Sequence, residues 1–250
     1  MIEELLPPEA AVVSARGDVA DAELYPEEAE AVASAVPGRR AEFATGRHCA
    51  RAALARLGVP PGPLLPTGRG APGWPEGTVG SLTHCAGYRA AAVARRSELW
   101  TLGIDAEPHG PVPRGVLSMI TAGGEVDRLA RLAAARPHLH WDRLLFSAKE
   151  AVYKAWYPLT ERWLGFVDAE LDFAEAEAEA EAEAEGEMGG SAGSGSGGSY
   201  GTFAARLLVP GHGALTGFDG RWAVRDGIVV TAVAVRAADQ ASGAGVDRHV

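Results

Sequence analysis

Three charged residues, Lys149, Glu150 and Lys154, lie within six positions of one another in a largely apolar segment. We predict that the segment is a helix, in which residues four apart share a face. Glu150 and Lys154 then lie side by side, while Leu145 and Val152 belong to an apolar face. This pattern indicates either an ordinary ion-paired surface or one wall of a site that binds a metal ion and a phosphate group.

Asp105 and Glu107 form a second acidic group, at the end of a strand predicted over 99–106. Side chains two residues apart in a strand point to the same side, and Pro108 stops the strand there. Two carboxylates in this arrangement repel each other unless cations compensate them. We therefore expect either basic structural partners or a hard cation such as Mg²⁺, which binds oxygen ligands and often phosphate.

Basic residues are concentrated on a helix predicted over 39–57, which Gly58 is placed to end. They are Arg39, Arg40, Arg47 and Arg51. This group is either a solvated basic face or a site for an anion.

The hairpin that follows is predicted to place His84 at its mouth, between strands at 79–83 and 90–95. A single histidine is commonly a structural hydrogen-bonding residue, unless other residues bring a ligand to it. The remaining predicted elements are strands at 9–14, 163–173, 202–209, 221–224 and 228–235, and helices at 26–36, 116–120, 125–136 and 141–157.

The net charge of −10 is concentrated in one part of the chain. Nine acidic residues and no basic ones lie within 170–187, so the rest of the chain is nearly neutral, which argues against a nucleic-acid-binding protein. Residues 174–185 alternate between Ala and Glu, and 186–199 are rich in Gly and Ser. We predict that 174–199 is an enlarged loop with no catalytic role.

The composition of the whole chain is that of an ordinary globular protein, with 47% hydrophobic and 22% charged residues among 250. We find no signal sequence and no apolar run of membrane-spanning length, and we expect a cytoplasmic protein. The two cysteines, Cys49 and Cys85, have neither a disulfide-scaffold nor a zinc-site spacing, so we expect both to be reduced and buried.

A phosphate-bearing ligand with a bound cation explains the charged groups together, although no single group is diagnostic. The Walker, dinucleotide-binding and nucleophile-elbow motifs are absent from the sequence, which argues against a standard kinase, dehydrogenase or hydrolase. The residues suited to phosphate are Arg39, Arg40, Arg47, Arg51, Arg69, Lys149 and Lys154, and those suited to Mg²⁺ are Asp105, Glu107 and Glu150.

The segment Gly103-Ile104-Asp105-Ala106-Glu107, followed by Phe146-Ser147-Ala148-Lys149-Glu150-Ala151-Val152-Tyr153-Lys154, resembles the paired signature of the phosphopantetheinyl transferases, GxD…(F/W)xxKExxxK. The segments at 43–51, 74–77 and 80–87 are similar to the Sfp-type branch of that family, which includes the enterobactin-synthetase transferases. They resemble its actinobacterial members most closely. The resemblance extends from about Arg39 to Val235 apart from the insertion.

The resemblance implies transfer of 4'-phosphopantetheine from coenzyme A to a serine of an apo acyl or peptidyl carrier protein, with release of 3',5'-ADP. The carriers would belong to fatty-acid, polyketide or nonribosomal-peptide synthesis. By position, Asp105, Glu107 and Glu150 would bind Mg²⁺, with Mn²⁺ as an alternative, and Glu150 would also be the general base. Lys149 and Lys154 would hold the pyrophosphate. The 3'-phosphate end would contact Thr83, His84, Arg47 and either Arg39 or Arg40, and Arg69 would lie near the adenine.

The fold implied by the resemblance is α+β, with two pseudo-symmetric α/β lobes and the active site in the cleft between them. We place the N-terminal lobe at 1–97 and the C-terminal lobe at 98–240, followed by a disordered tail at 241–250. A single chain would contain the whole site, so we expect a monomer.

Two rival functions share parts of this pattern: a Mg²⁺-dependent phosphohydrolase and a non-catalytic coenzyme A binding module. The acidic triad argues against the second.

Overall fold

The structure, a computed structural model, describes residues 1–67, 70–175, 198–213 and 215–239. Most of the predicted insertion, at 176–197, and the predicted tail at 241–250 lie outside these residues, as does Arg69.

Two antiparallel sheets account for the strands within the described residues. The small sheet has the order β1-β3-β2, and the large sheet has the order β4-β8-β7-β6-β5. The strands are β1 (Ala11–Arg16), β2 (Thr78–Cys85), β3 (Tyr88–Arg95), β4 (Leu99–Pro108), β5 (Ala169–Glu175), β6 (Ser199–Leu207), β7 (Gly217–Arg225) and β8 (Ile228–Arg236).

Five α-helices accompany these sheets in the described part of the chain. They are α1 (Pro26–Ala31), α2 (Pro37–Arg56), α3 (Val116–Ile120), α4 (Glu125–Ala135) and α5 (Trp141–Thr160). The predicted α+β class is therefore confirmed. No helix among the described residues has the length and apolar character needed to cross a membrane.

Several element boundaries differ from the prediction. Strand β2 continues to Cys85, and Gly87, with a φ of 78°, forms the turn to β3, so His84 lies within the strand. Helix α1 ends at Ala31, before Pro37 begins α2. Helix α5 continues past Pro158, since a proline in the last turn removes one backbone hydrogen bond without breaking the turns before it.

The small sheet is packed on both faces because β3 is composed mostly of small residues. Ala91 and Val93 on one face contact Ala50 and Leu54 of α2. Alanines on the opposite face, such as Ala92, belong to a second cluster that also contains residues of the large sheet. The two sheets therefore share part of one hydrophobic core.

Strands β2 and β4 meet through side-chain hydroxyl groups. Ser81 Oγ accepts a hydrogen bond from the backbone N–H of Ile104 at 3.1 Å, and Thr83 Oγ1 accepts one from Ala106 at 2.9 Å. Buried backbone N–H groups require such partners. These two bonds fix the acidic end of β4 against the hairpin that carries His84.

Gly103 allows α5 to lie directly on β4. A Cβ atom built at this position meets the carbonyl oxygen of Ala151 and lies 2.7 Å from the backbone nitrogen of Ala155. Both contacts are with helix backbone, which cannot rotate away. Any side chain at residue 103 must therefore displace α5 from the strand.

We predict that Gly103→Ala lowers the free energy of unfolding by about 1–3 kcal/mol, because the added methyl group overpacks the contact between α5 and β4. Urea denaturation followed by circular dichroism measures the change. Gly38→Ala is the matched control, because Gly38 lies in α2 and a Cβ there meets nothing within 4 Å. We expect no loss of stability in the control; equal losses in both variants would contradict the explanation.

Candidate active site

A cavity of about 650 Å³ lies between α2, the β2–β3 hairpin and α5. Six of the predicted site residues line it: Arg39, Arg47, Thr83, His84, Glu150 and Lys154. Cavities of about 700 and 640 Å³ against the large sheet are lined by other residues. The structure thus brings phosphate candidates and one metal candidate, Glu150, to one cavity, whereas Asp105 and Glu107 are not among its lining residues.

One face of α5 forms a wall of the cavity. Glu150, Tyr153, Lys154 and Tyr157 occupy positions i, i+3, i+4 and i+7, which lie on the same side of a helix. The two tyrosine rings are tilted against each other, with centroids 5.8 Å apart. The predicted catalytic residues therefore lie beside two aromatic rings that the prediction did not include.

Lys154 connects this wall to β4. Its Nζ donates hydrogen bonds to Asp105 Oδ1 at 2.7 Å and to the carbonyl oxygen of Ile104 at 3.1 Å. Thr83 Oγ1 lies 3.3 Å from the same carboxylate oxygen. One Asp105 oxygen is thus engaged by both α5 and β2.

The second Asp105 oxygen, Oδ2, is buried and has no hydrogen-bond partner within the described residues. A buried carboxylate oxygen without a partner is costly, and a cation is one group that would satisfy it. Burial and the charge of Asp105 raise the pKa of Glu107. Burial also raises the pKa of Glu150, with Lys154 opposing the shift and Asp105 adding to it. A positive ion near these three groups would relieve their repulsion.

The three carboxylates are not assembled as a closed group of ligands. Among the described residues, no cluster of three or more His, Cys, Asp or Glu side chains is positioned to hold a metal ion. Arg143 binds Glu107, with Nη1 2.9 Å from Oε2, and also donates to the carbonyl oxygens of Gly110 and Pro111. Asp105 Oδ2, the buried oxygen of these carboxylates that lacks a hydrogen-bond partner among the described residues, is the observation that fits a cation.

Arg39 and His84 form the basic end of the cavity. Arg39 Nη1 lies 2.8 Å from Nε2 of His84, and burial followed by the Arg39 charge lowers the pKa of that imidazole. Arg47 packs over the Phe43 ring and donates from Nε to the carbonyl oxygen of Leu64 at 2.7 Å. Burial lowers the pKa of Arg47 to about 10, so it remains charged at neutral pH.

Two other basic residues of α2 do not join this group. Arg40 donates to the carbonyl oxygens of Val32 and Ala33, outside the cavity lining. Arg51 forms an ion pair at 2.9 Å with the fully buried Glu28. Of the alternatives Arg39 and Arg40, the structure places Arg39 at the cavity. Arg69 lies outside the described residues, although Gly70, Ala71 and Pro72 line the cavity.

The expectation that Lys149 holds a pyrophosphate requires correction. Its side chain is 2% exposed, and Nζ forms an ion pair at 2.8 Å with Glu125, which is 1% exposed. The same Nζ lies 2.7–2.9 Å from the carbonyl oxygens of Ile120, Phe166 and Ala169. An ammonium group has three N–H donors. Lys149 therefore has no donor left for a phosphate, and it joins α5 to the α3–α4 segment and the start of β5.

Several residues of the site were missed by the sequence reasoning. They are Tyr153, Tyr157, Glu42, Arg89, Glu125 and Arg143. The tyrosines have a sequence signal, because they continue the helical spacing of Glu150 and Lys154. Glu42 lies three residues after Arg39 on α2, which is also a helical spacing. The spacing of the sequence gives no such signal for Arg89, Glu125 or Arg143, because their partners are distant in the chain.

We predict that Glu125→Ala lowers the free energy of unfolding by about 3–5 kcal/mol, because it leaves the buried Lys149 ammonium without its carboxylate. Chemical denaturation measures the loss. Arg16→Gln is the control, since it removes an ion pair with Asp226 whose side chains are about half exposed. We expect the control to cost less than about 1 kcal/mol. A similarly small effect for Glu125→Ala would show that the buried pair is not structural.

Comparison with known proteins identifies the family. A family model for the 4'-phosphopantetheinyl transferase N-terminal domain matches residues 27–94, and one for the 4'-phosphopantetheinyl transferase superfamily matches residues 101–189. The chain is 54% identical to 4'-phosphopantetheinyl transferase Svp of Streptomyces mobaraensis, over 98% of this chain and 95% of that protein. It is 47% identical to 4'-phosphopantetheinyl transferase PptT of Mycobacterium tuberculosis, over 86% and 92% of the two chains. It is also 47% identical to 4'-phosphopantetheinyl transferase Npt of Nocardia iowensis, over 94% and 99%.

These matches confirm the resemblance of the paired signature and its neighbouring segments to the actinobacterial transferases. They cover both the part of the chain that carries Arg39 and His84 and the part that carries Asp105 and Glu150. The chain therefore belongs to the 4'-phosphopantetheinyl transferase family and is an enzyme that transfers the phosphopantetheine group.

Proposed function

We propose that the enzyme takes 4'-phosphopantetheine from coenzyme A and transfers it to a serine hydroxyl of an apo carrier protein, releasing 3',5'-ADP. The observation that supports this most directly is the composition of one cavity. It combines cationic groups at Arg39 and Arg47 with a carboxylate and an ammonium group at Glu150 and Lys154. Coenzyme A carries phosphate at two separate places, its 3'-phosphate and its pyrophosphate, and so matches cations at two places.

The nucleotide end of coenzyme A is assigned to the side of the cavity formed by α2 and the hairpin. Arg39, His84 and Arg47 would face the 3'-phosphate, with Thr83 beside them. Guanidinium groups bind phosphate through paired N–H donors, and both arginines are held by other protein groups before the ligand arrives. The described residues Gly70, Ala71 and Pro72 would lie near the adenine.

Lys154 is assigned to the pyrophosphate. Its side chain is 26% exposed, in contrast to the buried Lys149, and it lies on the cavity while it binds Asp105. A lysine ammonium in this position attracts the bridging phosphates and stabilises the charge that develops on the leaving ADP.

The metal is assigned to Asp105 and Glu150, with Glu107 as the third carboxylate. The chemistry of the donor set fits Mg²⁺, since all three ligands are oxygens and Asp105 Oδ2 is buried without another partner. When bound there, Mg²⁺ would neutralise charge on the pyrophosphate as the phosphorus–oxygen bond to ADP breaks.

Glu150 is assigned as the general base. The carrier serine oxygen attacks the phosphorus attached to pantetheine, a new phosphorus–oxygen bond forms, and the bond to ADP breaks. The serine proton passes to the Glu150 carboxylate, directly or through a water molecule. Burial raises the pKa of Glu150, which makes its carboxylate a stronger base. One chain supplies both ends of the cavity, so we propose that it acts as a monomer.

Incubation with coenzyme A, Mg²⁺ and an apo carrier protein tests the transfer. We expect intact-mass spectrometry to show one added 4'-phosphopantetheine per carrier, with one 3',5'-ADP released. Glu150→Gln is expected to slow the reaction at least about 100-fold, because it removes the base. Glu98→Gln, which changes an exposed carboxylate, is the control. Release of ADP without modification of the carrier would indicate a hydrolase instead, and near-normal transfer by Glu150→Gln would refute its assignment.

The two lysines of α5 are expected to differ in their effect on ligand binding. Lys154→Ala should weaken coenzyme A binding about tenfold or more, since it removes a charge-assisted contact to the pyrophosphate. Lys149→Met should destabilise the protein but leave the affinity of the folded enzyme within about twofold of wild type, because Lys149 is engaged by Glu125 and three carbonyl groups. Isothermal titration calorimetry, at a temperature where both variants are folded, measures the affinities. An equal loss of coenzyme A affinity in both variants would show that Lys149 also contributes to phosphate binding.

A further inference from the structure

Glu42 lies behind the basic end of the cavity, in contact with both residues assigned to the 3'-phosphate. It is one turn after Arg39 on α2, and its Oε2 is 3.3 Å from Nη1 of Arg39. The same oxygen is 3.7 Å from Nδ1 of His84. Glu42 itself does not line the cavity. It is thus placed to act on a ligand through its neighbours.

The ring nitrogens of His84 have different partners. The Arg39 guanidinium has no acceptor, so it donates to Nε2 of His84 across the 2.8 Å contact. In the neutral imidazole the hydrogen then resides on Nδ1, which is the nitrogen that faces Glu42. A carboxylate on that side favours this arrangement of Arg39 and His84 over others.

Arg89 holds the other oxygen of Glu42. It is the residue of β3 directly opposite His84 in the hairpin, and Nη2 lies 3.5 Å from Glu42 Oε1. The Arg89 side chain is 6% exposed and also binds Asp18 and the carbonyl oxygens of Cys85 and Tyr88. A residue held by this many bonds forms a rigid support. Arg89 therefore holds one carboxylate oxygen of Glu42, and the other oxygen contacts Arg39 and His84.

Glu42 carries a negative charge close to the proposed phosphate site. An isolated carboxylate next to a phosphate site repels the phosphate. Here the buried Arg89 guanidinium lies 3.5 Å from Glu42 and 2.9 Å from Asp18, so it compensates the charge of Glu42 in part, and Arg39 still faces the cavity. Carboxylates that support ligand-binding side chains in this way tune affinity without touching the ligand.

We propose that Glu42 is a positioning residue that holds Arg39 and His84 in the arrangement which binds the 3'-phosphate, and so sets the preference of the enzyme for coenzyme A over 3'-dephospho-coenzyme A. This inference rests on the proposed function, which places the 3'-phosphate at these two residues.

Calorimetric titration of the full chain with coenzyme A and with 3'-dephospho-coenzyme A tests the inference. Glu42→Ala is expected to weaken coenzyme A binding about tenfold, a change of about 1.4 kcal/mol, and to leave the affinity for 3'-dephospho-coenzyme A within about twofold of wild type. Glu42→Gln, which keeps the size and removes the charge, should show the same selective loss to a smaller extent. Glu30→Gln, an equal change of charge at an exposed position of α1, should alter neither affinity.

A structural role would produce a different pattern. If the two ligands lost affinity equally, Glu42 would support the fold of the cavity and not the 3'-phosphate contact, and the inference would fail. Tighter binding of coenzyme A by Glu42→Ala would also overturn it, because the carboxylate would then act by repulsion. Thermal unfolding of each variant establishes that the titrations are done on folded protein, and Glu42→Gln serves if Glu42→Ala does not fold.

A double-substitution background separates this inference from the proposed function. In Arg39→Ala/His84→Ala, the further change Glu42→Ala should cause no additional loss of coenzyme A affinity, because Glu42 acts through those residues. If wild type binds both ligands equally, the placement of the 3'-phosphate is wrong and the inference falls with it. If Arg39→Ala removes the preference for coenzyme A but the Glu42 variants keep it, the placement stands and the inference alone is refuted.

Discussion

The contact between α5 and β4 at Gly103 determines where the reactive groups lie. With no side chain at residue 103, the backbone of α5 at Ala151 and Ala155 lies against the strand. Thr101 strengthens the contact by donating to the carbonyl oxygen of Ala155 at 2.7 Å. One residue before Ala155 in the helix, Lys154 reaches Asp105 and the carbonyl oxygen of Ile104. The helix and the strand thus form one support. The distance between the Lys154 ammonium and the Asp105 carboxylate depends on residue 103 being a glycine, which has no Cβ atom.

The junction between β2 and β4 extends this support to the basic residues. Thr83 accepts a hydrogen bond from the N–H of Ala106 and lies within reach of the Asp105 carboxylate. The next residue, His84, binds Arg39 of α2. A short series of polar contacts therefore runs from Lys154 to Arg39 across both sheets. The two ends of the cavity are thus connected through β4, β2 and α2.

The sequence predicted the supporting elements well and the direction of individual side chains less well. Helix α5 and strand β4 followed from the sequence pattern, and the convergence of Glu150, Lys154 and His84 followed from the family resemblance. Lys149 differs from the expectation because it neighbours the cavity residue Glu150, and adjacent residues in a helix do not share a face. The same offset separates Arg40 from Arg39, which is the one of those two alternatives that lies at the cavity. Lys149 follows the apolar spacing of Leu145, Val152 and Trp156, and is accordingly buried with them.

Other features could not be read from spacing at all. Arg143 and Glu107 are separated by 36 positions, and Lys149 and Glu125 by 24, so their pairing depends on how the elements pack. Whether a charged residue is exposed or buried was decided in each case by that packing. The position of His84 within β2 depended on where a tight turn at Gly87 began.

The hydroxyl-linked junction between the two sheets has a thermodynamic consequence. A ligand that contacts Arg39 and Lys154 at the same time bridges groups that are far apart in the chain and are brought together when the sheets dock. Such a ligand binds only when the two sheets are packed together. Its binding therefore stabilises the packed arrangement, by an amount that rises with the logarithm of the ligand concentration. In the absence of ligand, the two bonds from Ser81 and Thr83, together with the shared hydrophobic core, maintain that arrangement. A ligand that bridged Arg39 and Lys154 would therefore add to the stability of an arrangement that the protein already maintains.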